Sequence, residues 1–215
     1  MKLLILVSGS GSNAEAIINS LKGCNVEITI GCNRKSAGVW QRGLKVPIVH
    51  VPSPGDDFSA LEKLFTENQY DLVVLAGYMR AIPPHVLEIM PPAINIHPSL
   101  LPKYKGSEDG YADAIQHGDT ETGLTIHYVT EDVDGGPALL QAAYDIPQKI
   151  AEMAGVNTDS AIKELKKVGL PIEHVFYPAM VKSLLFDIPL DHDGLCNAAE
   201  EKVHEQGYEV DVWTQ

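Results

Sequence analysis

Short apolar runs alternate with segments of helical periodicity through the N-terminal half of the chain. Each run has the length of a buried strand, and the runs cover residues 3–7, 26–30, 47–51, 71–75 and 93–96. Between them apolar residues recur every three or four positions, as in a helix that begins near Ser12 and another over residues 58–65. This alternation is typical of parallel sheets covered by crossover helices. The sequence therefore predicts an α/β fold with an open, mostly parallel twisted sheet and helices on both faces.

The regular alternation of apolar runs and helical segments ends after Pro102. The elements predicted beyond it are a short helix, two strands and a long helix, at residues 112–117, 124–129, 138–144 and 158–185. Gly169, Pro171 and Pro178 lie inside the long helix. Because an interior proline removes a backbone donor and clashes with the preceding turn, we expect a break or a kink there.

The C-terminal residues 186–215 are strongly acidic. They carry eight carboxylates against one base, Lys202. Runs of charge usually serve solubility, so this segment is interpreted as a solvated tail or a surface strand without a function of its own. The length of 215 residues suits one compact domain with a short appendage. We expect a domain over residues 1–185, followed by an acidic extension over 186–215 that packs on or trails the same domain.

Composition and charge exclude several classes of protein. With 16 Lys and Arg against 29 Asp and Glu, the net charge is −13, so the surface repels nucleic acids. No apolar run approaches the roughly 20 residues of a membrane-spanning helix. The three cysteines fit neither a disulfide framework nor a zinc knuckle. We therefore expect a cytoplasmic protein with no nucleic-acid partner, no membrane contact and no metal.

A glycine-rich loop, residues 8–13, follows the first predicted strand. Glycines let the backbone approach an anion, and the N–H groups at a helix N-terminus favour negative charge. The spacing matches a loose dinucleotide fingerprint, but residues 31–34 (GCNR) lack the acidic residue that would hold a nicotinamide ribose. The hydroxyl and amide groups of the loop favour a single phosphate. The alternative is that Ser12 or Asn13 merely caps the helix.

Asn95 and His97 occur two residues apart at the end of the fifth predicted strand. Residues at this spacing share one side of a strand, at the edge where open α/β sheets bind ligands. An amide can donate to a developing oxyanion, and an imidazole can donate a proton or hold charge beside it. The tight loop at residues 132–137 can return the carboxylate of Asp134 to the imidazole and favour its protonated form. These groups suit acyl transfer.

Rival chemistries are weaker. No second ligand stands at helical spacing from His97 for a zinc site, and no Gly-x-Ser-x-Gly elbow supplies a serine nucleophile. The remaining histidines that we weighed are interpreted as core or surface residues: His50, His85, His117, His192 and His204.

Five motifs together resemble the phosphoribosylglycinamide formyltransferase family. They are residues 8–13 (SGSGSN), 75–80 (LAGYMR), 95–102 (NIHPSLLP), 134–137 (DGGP) and 173–178 (EHVFYP). Their order and spacing match over roughly residues 1–185. The resemblance implies a Rossmann-like formyltransferase fold and 10-formyltetrahydrofolate as formyl donor, with no metal. It also implies transfer to the amine of 5-phosphoribosylglycinamide in purine biosynthesis, by direct attack through a tetrahedral intermediate.

The resemblance also implies roles for particular residues. The catalytic residues would be Asn95, His97 and Asp134. Those that bind the phosphoribosylglycinamide would be Gly11, Ser12 and Asn13 at its phosphate and Glu173 at its ribose or glycinamide part. The folate pocket would be lined by Met79, Arg80, Ala81, Ile82, Asn95, Thr130, Glu131, Asp132, Val133 and Asp134.

Two segments depart from the family pattern. Residues 107–111 (SEDGY) are one residue longer and replace a histidine-containing stretch, and residues 56–64 offer no evident base for the folate tail. The implied partners are small molecules, and a homodimer remains open.

Other functions of related enzymes and binding proteins are alternatives to this one. Hydrolysis of the formyl donor is disfavoured because the first strand begins at residue 3 and leaves no room for the hydrolases' usual N-terminal domain. Formylation of initiator transfer RNA would need a basic C-terminal domain, and this segment is acidic. Formylation of a sugar amine and a silent nucleotide- or folate-binding module are the remaining alternatives.

Overall fold

A computed structural model of the chain describes residues 1–203 and 210–214. Its strands are β1 (Lys2–Val7), β2 (Glu27–Cys32), β3 (Ile48–His50), β4 (Leu72–Leu75), β5 (Ala93–His97), β6 (Glu121–Tyr128), β7 (Ala138–Asp145) and β8 (Val210–Thr214). Its helices are α1 (Ser12–Ser20), α2 (Ser59–Glu67), α3 (Pro84–Leu87), α4 (Gly110–His117), α5 (Gln148–Ala154), α6 (Thr158–Phe186) and α7 (His192–Val203). The elements expected from the sequence are present, whereas α3, α5 and α7 are additions to the prediction.

The described strands form one sheet in the order β3-β2-β1-β4-β5-β6-β7-β8. Strands β1 to β5 are parallel, and β6, β7 and β8 each run antiparallel to the strand before them in this order. The predicted open, mostly parallel sheet is thus confirmed. From β1 the sheet grows through β2 and β3 on one side and through β4 and the later strands on the other, so the strand order reverses beside β1. Open sheets bind ligands in the crevice at such a reversal.

Side chains of β1 alternate between the two faces of the sheet. Leu3, Ile5 and Val7 pack in one buried cluster with apolar residues of α1, α4 and α6. Leu4 and Leu6 pack in a second cluster with residues of α2. All five side chains are fully buried, so helices cover both faces as predicted.

Helix α6 is continuous from Thr158 to Phe186 although Pro171 and Pro178 lie inside it. Of the break or kink expected at these prolines, the break is absent, and the kink stays a prediction. Each interior proline costs a helix roughly 3 kcal/mol. Packing against α1, α4, α5 and α7 buries one face of α6 and offsets this cost. The side chain of Asn157 caps its N-terminus by accepting from the Ser160 N–H at 3.0 Å.

The acidic extension contributes α7 and β8. Ala199 and Val203 of α7 are buried, and α7 packs on α6. Strand β8 pairs with β7, and Nε1 of Trp213 lies 3.2 Å from Oε1 of Gln141. Residues 204–209 and 215 of the predicted extension lie outside the described residues, and His204, Glu205 and Glu209 are among them. None of the helices described above is both long and apolar enough to cross a membrane.

Candidate active site

The glycine loop turns from β1 into α1. Gly11 is the N-cap of α1 with φ of 75°, in the left-handed region that glycine adopts freely. A Cβ at this position would lie 2.6 Å from Cγ2 of Val39, so the loop packs too closely for any side chain. Within residues 1–203 and 210–214, no side chain caps α1. The interpretation of Ser12 or Asn13 as a mere cap is therefore wrong.

The loop is tied to the end of β4. The hydroxyl of Ser8 accepts from the Met79 N–H at 2.9 Å, and the Ser8 N–H donates to the Gly77 carbonyl at 2.9 Å. Two of the five motifs thus meet, because β1 and β4 are neighbours in the sheet.

Glu173, on α6, lies beside the same loop. Nδ2 of Asn13 donates to Oε2 of Glu173 at 2.6 Å, and the hydroxyl of Tyr111 donates to Oε1. Burial raises the pKa of the Glu173 carboxyl, while the two donors act in the opposite direction. Since Glu173 is only 5% exposed, its charge depends on these two hydrogen bonds.

Asn95, His97 and Asp134 come together at the end of β5. Oδ2 of Asp134 lies 3.3 Å from Nδ1 of His97, and Oδ1 accepts from Nδ2 of Asn95 at 3.3 Å. Asp134 sits in the loop between β6 and β7 with φ of 52°, a conformation that aspartate tolerates better than most residues. The Gly106 N–H donates to Oδ2 at 3.0 Å. The three residues that the sequence was expected to bring together thus form one cluster.

Burial and charge both act on the pKa values of this cluster. Burial lowers the pKa of His97 and outweighs Asp134, which raises it as expected. For Asp134, burial raises the pKa, but the hydrogen bond with His127, the His97 charge and the Gly106 N–H together lower it below the usual value. Asp134 is therefore ionised at neutral pH, and protonated His97 is a stronger acid than free histidine.

His127 is a buried member of the cluster that the sequence reasoning missed. It lies opposite Asn95 in the antiparallel pairing of β5 and β6. Its Nε2 is 3.2 Å from Nδ2 of Asn95 and 3.5 Å from Oδ1 of Asp134, and its Nδ1 is 2.9 Å from the Tyr128 carbonyl. The sequence placed His127 in the predicted strand 124–129, but only the register of β5 and β6 shows that it lies opposite Asn95.

A cavity of about 310 Å³ opens beside the cluster. Asn95, His97, His127 and Asp134 form part of its wall. Of the ten residues expected to bind folate, eight line it: Met79, Arg80, Ala81, Ile82, Asn95, Thr130, Val133 and Asp134.

Glu131 and Asp132 are the two residues of that set outside the cavity wall. Asp132 instead pairs with Lys105 at 2.5 Å. Met79 and Val133 are about half exposed, which gives the cavity apolar residues in contact with solvent. The guanidinium of Arg80 lies 5.7 Å from the centre of the Phe58 ring and donates to the Gly55 carbonyl.

The loop at residues 107–111 is held in place by close contacts with α4, α6 and the segment after β5. Asp109 caps α4 by accepting from the Ala112 N–H at 3.3 Å, and it pairs with Lys166 of α6. A side chain on Gly110 would overlap the carbonyl of Pro98, which directly follows His97. Tyr111, at the end of this loop, donates to Glu173.

The family model described as formyl transferase matches residues 1–157. The phosphoribosylglycinamide formyltransferase of Escherichia coli (strain K12) is 31% identical, over 98% of this chain and 100% of the relative. The crystal structure of phosphoribosylglycinamide formyltransferase from Anaplasma phagocytophilum has a TM-score of 0.74 and 31% identity, over 90% of this chain and 92% of that one. The corresponding structure from Bacillus halodurans has a TM-score of 0.70 and 34% identity, over 86% and 96%.

Proposed function

The chain belongs to the phosphoribosylglycinamide formyltransferases of the formyl transferase family, and from this membership we propose how its residues act. It transfers a formyl group from 10-formyltetrahydrofolate to the amine of 5-phosphoribosylglycinamide, a step of purine biosynthesis. One observation carries the assignment of residues: Asn95, His97 and Asp134 meet at the wall of a 310 Å³ cavity.

The phosphate of the acceptor binds at the N-terminus of α1. Gly11, Ser12 and Asn13 offer backbone N–H groups there, and the positive end of the helix dipole favours the anion. Glu173 acts beside this subsite at the ribose or glycinamide part. Its hydrogen bond to Asn13 supports a common binding surface.

The formyl donor binds in the cavity. Met79, Ala81, Ile82 and Val133 provide apolar contact, and Arg80 provides charge. Thr130, Glu131 and Asp132 belong to the adjoining loop and complete the folate subsite at its margin. The common wall with His97 holds the formyl carbon near the catalytic cluster, so that binding supplies orientation.

The acceptor amine attacks the formyl carbon, and the carbonyl oxygen becomes an oxyanion. Nδ2 of Asn95 and the imidazolium of His97 stabilise that charge. Collapse of the tetrahedral intermediate breaks the bond to the folate nitrogen, which takes a proton as the amine loses one. Asp134 orients His97 and assists this proton transfer through water. The lowered pKa of His97 suits the delivery of a proton to the leaving nitrogen.

The proposal also covers the cellular compartment, the domain organisation and the binding partners. The thiols of Cys24, Cys32 and Cys196 are free, which supports work in the reducing cytoplasm. The extension 186–215 is proposed to be part of the same domain, because α7 packs on α6 and β8 extends the sheet. The protein is proposed to act on small molecules without nucleic acid, as a monomer or a homodimer that sedimentation would distinguish.

The test is turnover of 10-formyltetrahydrofolate with and without phosphoribosylglycinamide, following tetrahydrofolate and formylated product separately. We expect folate release to require the amine and to match product formation. Release at the same rate without the amine would identify a hydrolase. Silence in both assays would contradict the proposed acceptor, and other amines, including amino sugars, would then be assayed.

A further inference from the structure

The imidazole of His97 is held between two hydrogen-bond acceptors. Nδ1 lies 3.3 Å from Oδ2 of Asp134, and Nε2 lies 3.0 Å from the backbone carbonyl of Tyr104. A carbonyl oxygen only accepts, so the contact with Tyr104 is favourable when Nε2 carries a hydrogen. Only a ring protonated on both nitrogens satisfies both acceptors. The carbonyl of Tyr104 therefore acts on both the orientation and the protonation of His97.

The backbone of Tyr104 is in an unusual conformation. Its φ is 59°, in the left-handed region that disfavours residues with a Cβ atom. Such a conformation persists where surrounding contacts impose it, and it is often found beside functional groups. The carbonyl that contacts His97 belongs to Tyr104. The direction of this carbonyl therefore depends on the contacts that hold Tyr104.

The side chain of Tyr104 supplies those contacts. Its hydroxyl donates to Oδ2 of Asp119 at 2.8 Å, and its ring centre lies 5.1 Å from that of His117. Nζ of Lys103 lies 5.2 Å from the centre of the same ring and 2.7 Å from Oδ2 of Asp119. Ring and hydroxyl are thus held from the C-terminal part of α4 and the turn that follows it.

The main chain before Tyr104 is also fixed. The hydroxyl of Ser99 donates to the Lys103 carbonyl at 2.6 Å, and the hydroxyl of Thr125 on β6 donates to the Ser99 carbonyl at 2.7 Å. Because Ser99 and Thr125 are fully buried, this end of the segment is anchored to the sheet. The Tyr104 carbonyl also accepts from the Ser107 N–H at 3.1 Å, so the turn that follows and the Tyr104 side chain together set its direction.

We propose that Tyr104 is a positioning residue for formyl transfer, whose anchored side chain holds the carbonyl that orients His97 and keeps a hydrogen on Nε2. This role rests on the proposed function of His97. The other groups that act on the imidazole are Asp134 from the β6–β7 loop, His127 from β6 and Asp113 from α4. Tyr104 contributes through its main chain, and none of those three contacts depends on its hydroxyl.

The test combines kinetics with nitrogen NMR of the His97 imidazole in Tyr104→Phe, Asp119→Ala and Asp119→Asn. Tyr104→Phe and Asp119→Ala remove the anchor, so we expect kcat to fall between about tenfold and a hundredfold, with KM of both substrates nearly unchanged. The hydrogen-bonded Nε2–H signal should weaken and the pKa of His97 should fall, because the carbonyl raises it. Asp119→Asn keeps an acceptor for the hydroxyl and should stay near wild type.

Tyr70→Phe is the matched control. Tyr70 is a tyrosine of the α2–β4 connection that is buried in the second cluster, whereas Tyr104 packs against the first. An unchanged His97 signal in both Tyr104→Phe and Asp119→Ala overturns the positioning role while His97→Ala stays inactive. Full turnover by His97→Ala instead overturns the proposed catalytic role, and the role of Tyr104 in transfer with it.

Discussion

Nδ2 of Asn13 lies 2.6 Å from Oε2 of Glu173, although 160 positions separate the two residues. The contact joins the glycine loop at the start of α1 to the middle of α6. Glu173 is also held by the hydroxyl of Tyr111, so both of its oxygens have a donor. Because the carboxylate is buried, each donor stabilises its charge, and the carboxylate in turn fixes the amide of Asn13.

Glu173→Gln should weaken binding of the phosphoribosyl acceptor. A glutamine side chain cannot accept from both Asn13 and Tyr111 through two oxygens, so one buried donor loses its partner. Hydrogen bonds to charged groups contribute about 1.5–3 kcal/mol, and we expect KM for the acceptor to rise about tenfold or more. KM for the folate should change little. The control is Glu164→Gln, the same substitution at a partly exposed site on α6.

Steady-state kinetics with each substrate varied in turn would measure this effect. An equal rise in both KM values would mean that the change perturbs the whole fold. Unaltered kinetics would show that Asn13 needs no support from Glu173.

Asp134→Asn should lower kcat while both substrates still bind. The change keeps the shape of the side chain but removes the charge beside His97 and leaves one acceptor oxygen, so Nδ1 of His97 and Nδ2 of Asn95 can no longer both find an acceptor on residue 134. Positioned acid–base groups contribute about 10²–10⁴-fold, and we expect a loss in that range. Asp145→Asn, at the exposed end of β7, controls for the substitution itself. Single-turnover rates with bound substrates measure the effect, and a wild-type rate would contradict the assigned chemistry.

His97 and His174 predict a loss of stability on mild acidification. Burial lowers the pKa of both, and for His174 the charge of Arg42 lowers it further. As the pH falls through about 6.5, the unfolded chain binds protons that the native protein does not, so the free energy of unfolding decreases. Above that pH both states are neutral at these groups and the contribution vanishes.

Urea unfolding at about pH 7.5 and about pH 5.5 measures this dependence. Nε2 of His174 is buried and has no hydrogen-bond partner within the described residues, so protonation there is unfavourable. In His174→Gln the difference between the two pH values should shrink. Lys182→Gln, which changes a residue elsewhere on α6, should leave the difference as in the wild type. An identical difference in His174→Gln would exclude His174 as a source.

The parallel half of the sheet could be predicted because its signals are local. Strands β1, β4 and β5 of that half are short buried runs, and the spacing of Asn95 and His97 on one strand already placed both at the ligand edge. The antiparallel half gave weaker signals. Strand β8 and helix α7 are acidic, and their burial depends on β7 and α6, which are distant in sequence.

The partners of the site residues could not be predicted for the same reason. His127 reaches Asn95 through the register of two strands, and Tyr104 reaches His97 through a left-handed backbone that no sequence pattern specifies. Asp134 raises the pKa of His97 as expected, but burial lowers that pKa by more, and the extent of burial is a property of the packed fold. Motifs thus identified chemical groups, whereas contacts across the sheet set their protonation.

Gly169→Ala should destabilise the protein although alanine is the better helix former. At an exposed helical site the change would be expected to stabilise by about 1 kcal/mol. At this position, however, a Cβ would overlap the ring and hydroxyl of Tyr111 and the hydroxyl of Tyr144. Overpacking of this kind typically costs about 1–3 kcal/mol, so the free energy of unfolding should fall by up to about 2 kcal/mol. Tyr111 is the residue whose hydroxyl holds Glu173, so KM for the phosphoribosyl acceptor should rise as well.

Gly155→Ala is the control, since a Cβ there would meet only the Glu152 carbonyl at 3.5 Å. Urea unfolding measures the free energy of unfolding of both variants. Equal values would mean that Tyr111 can move aside without a loss of stability.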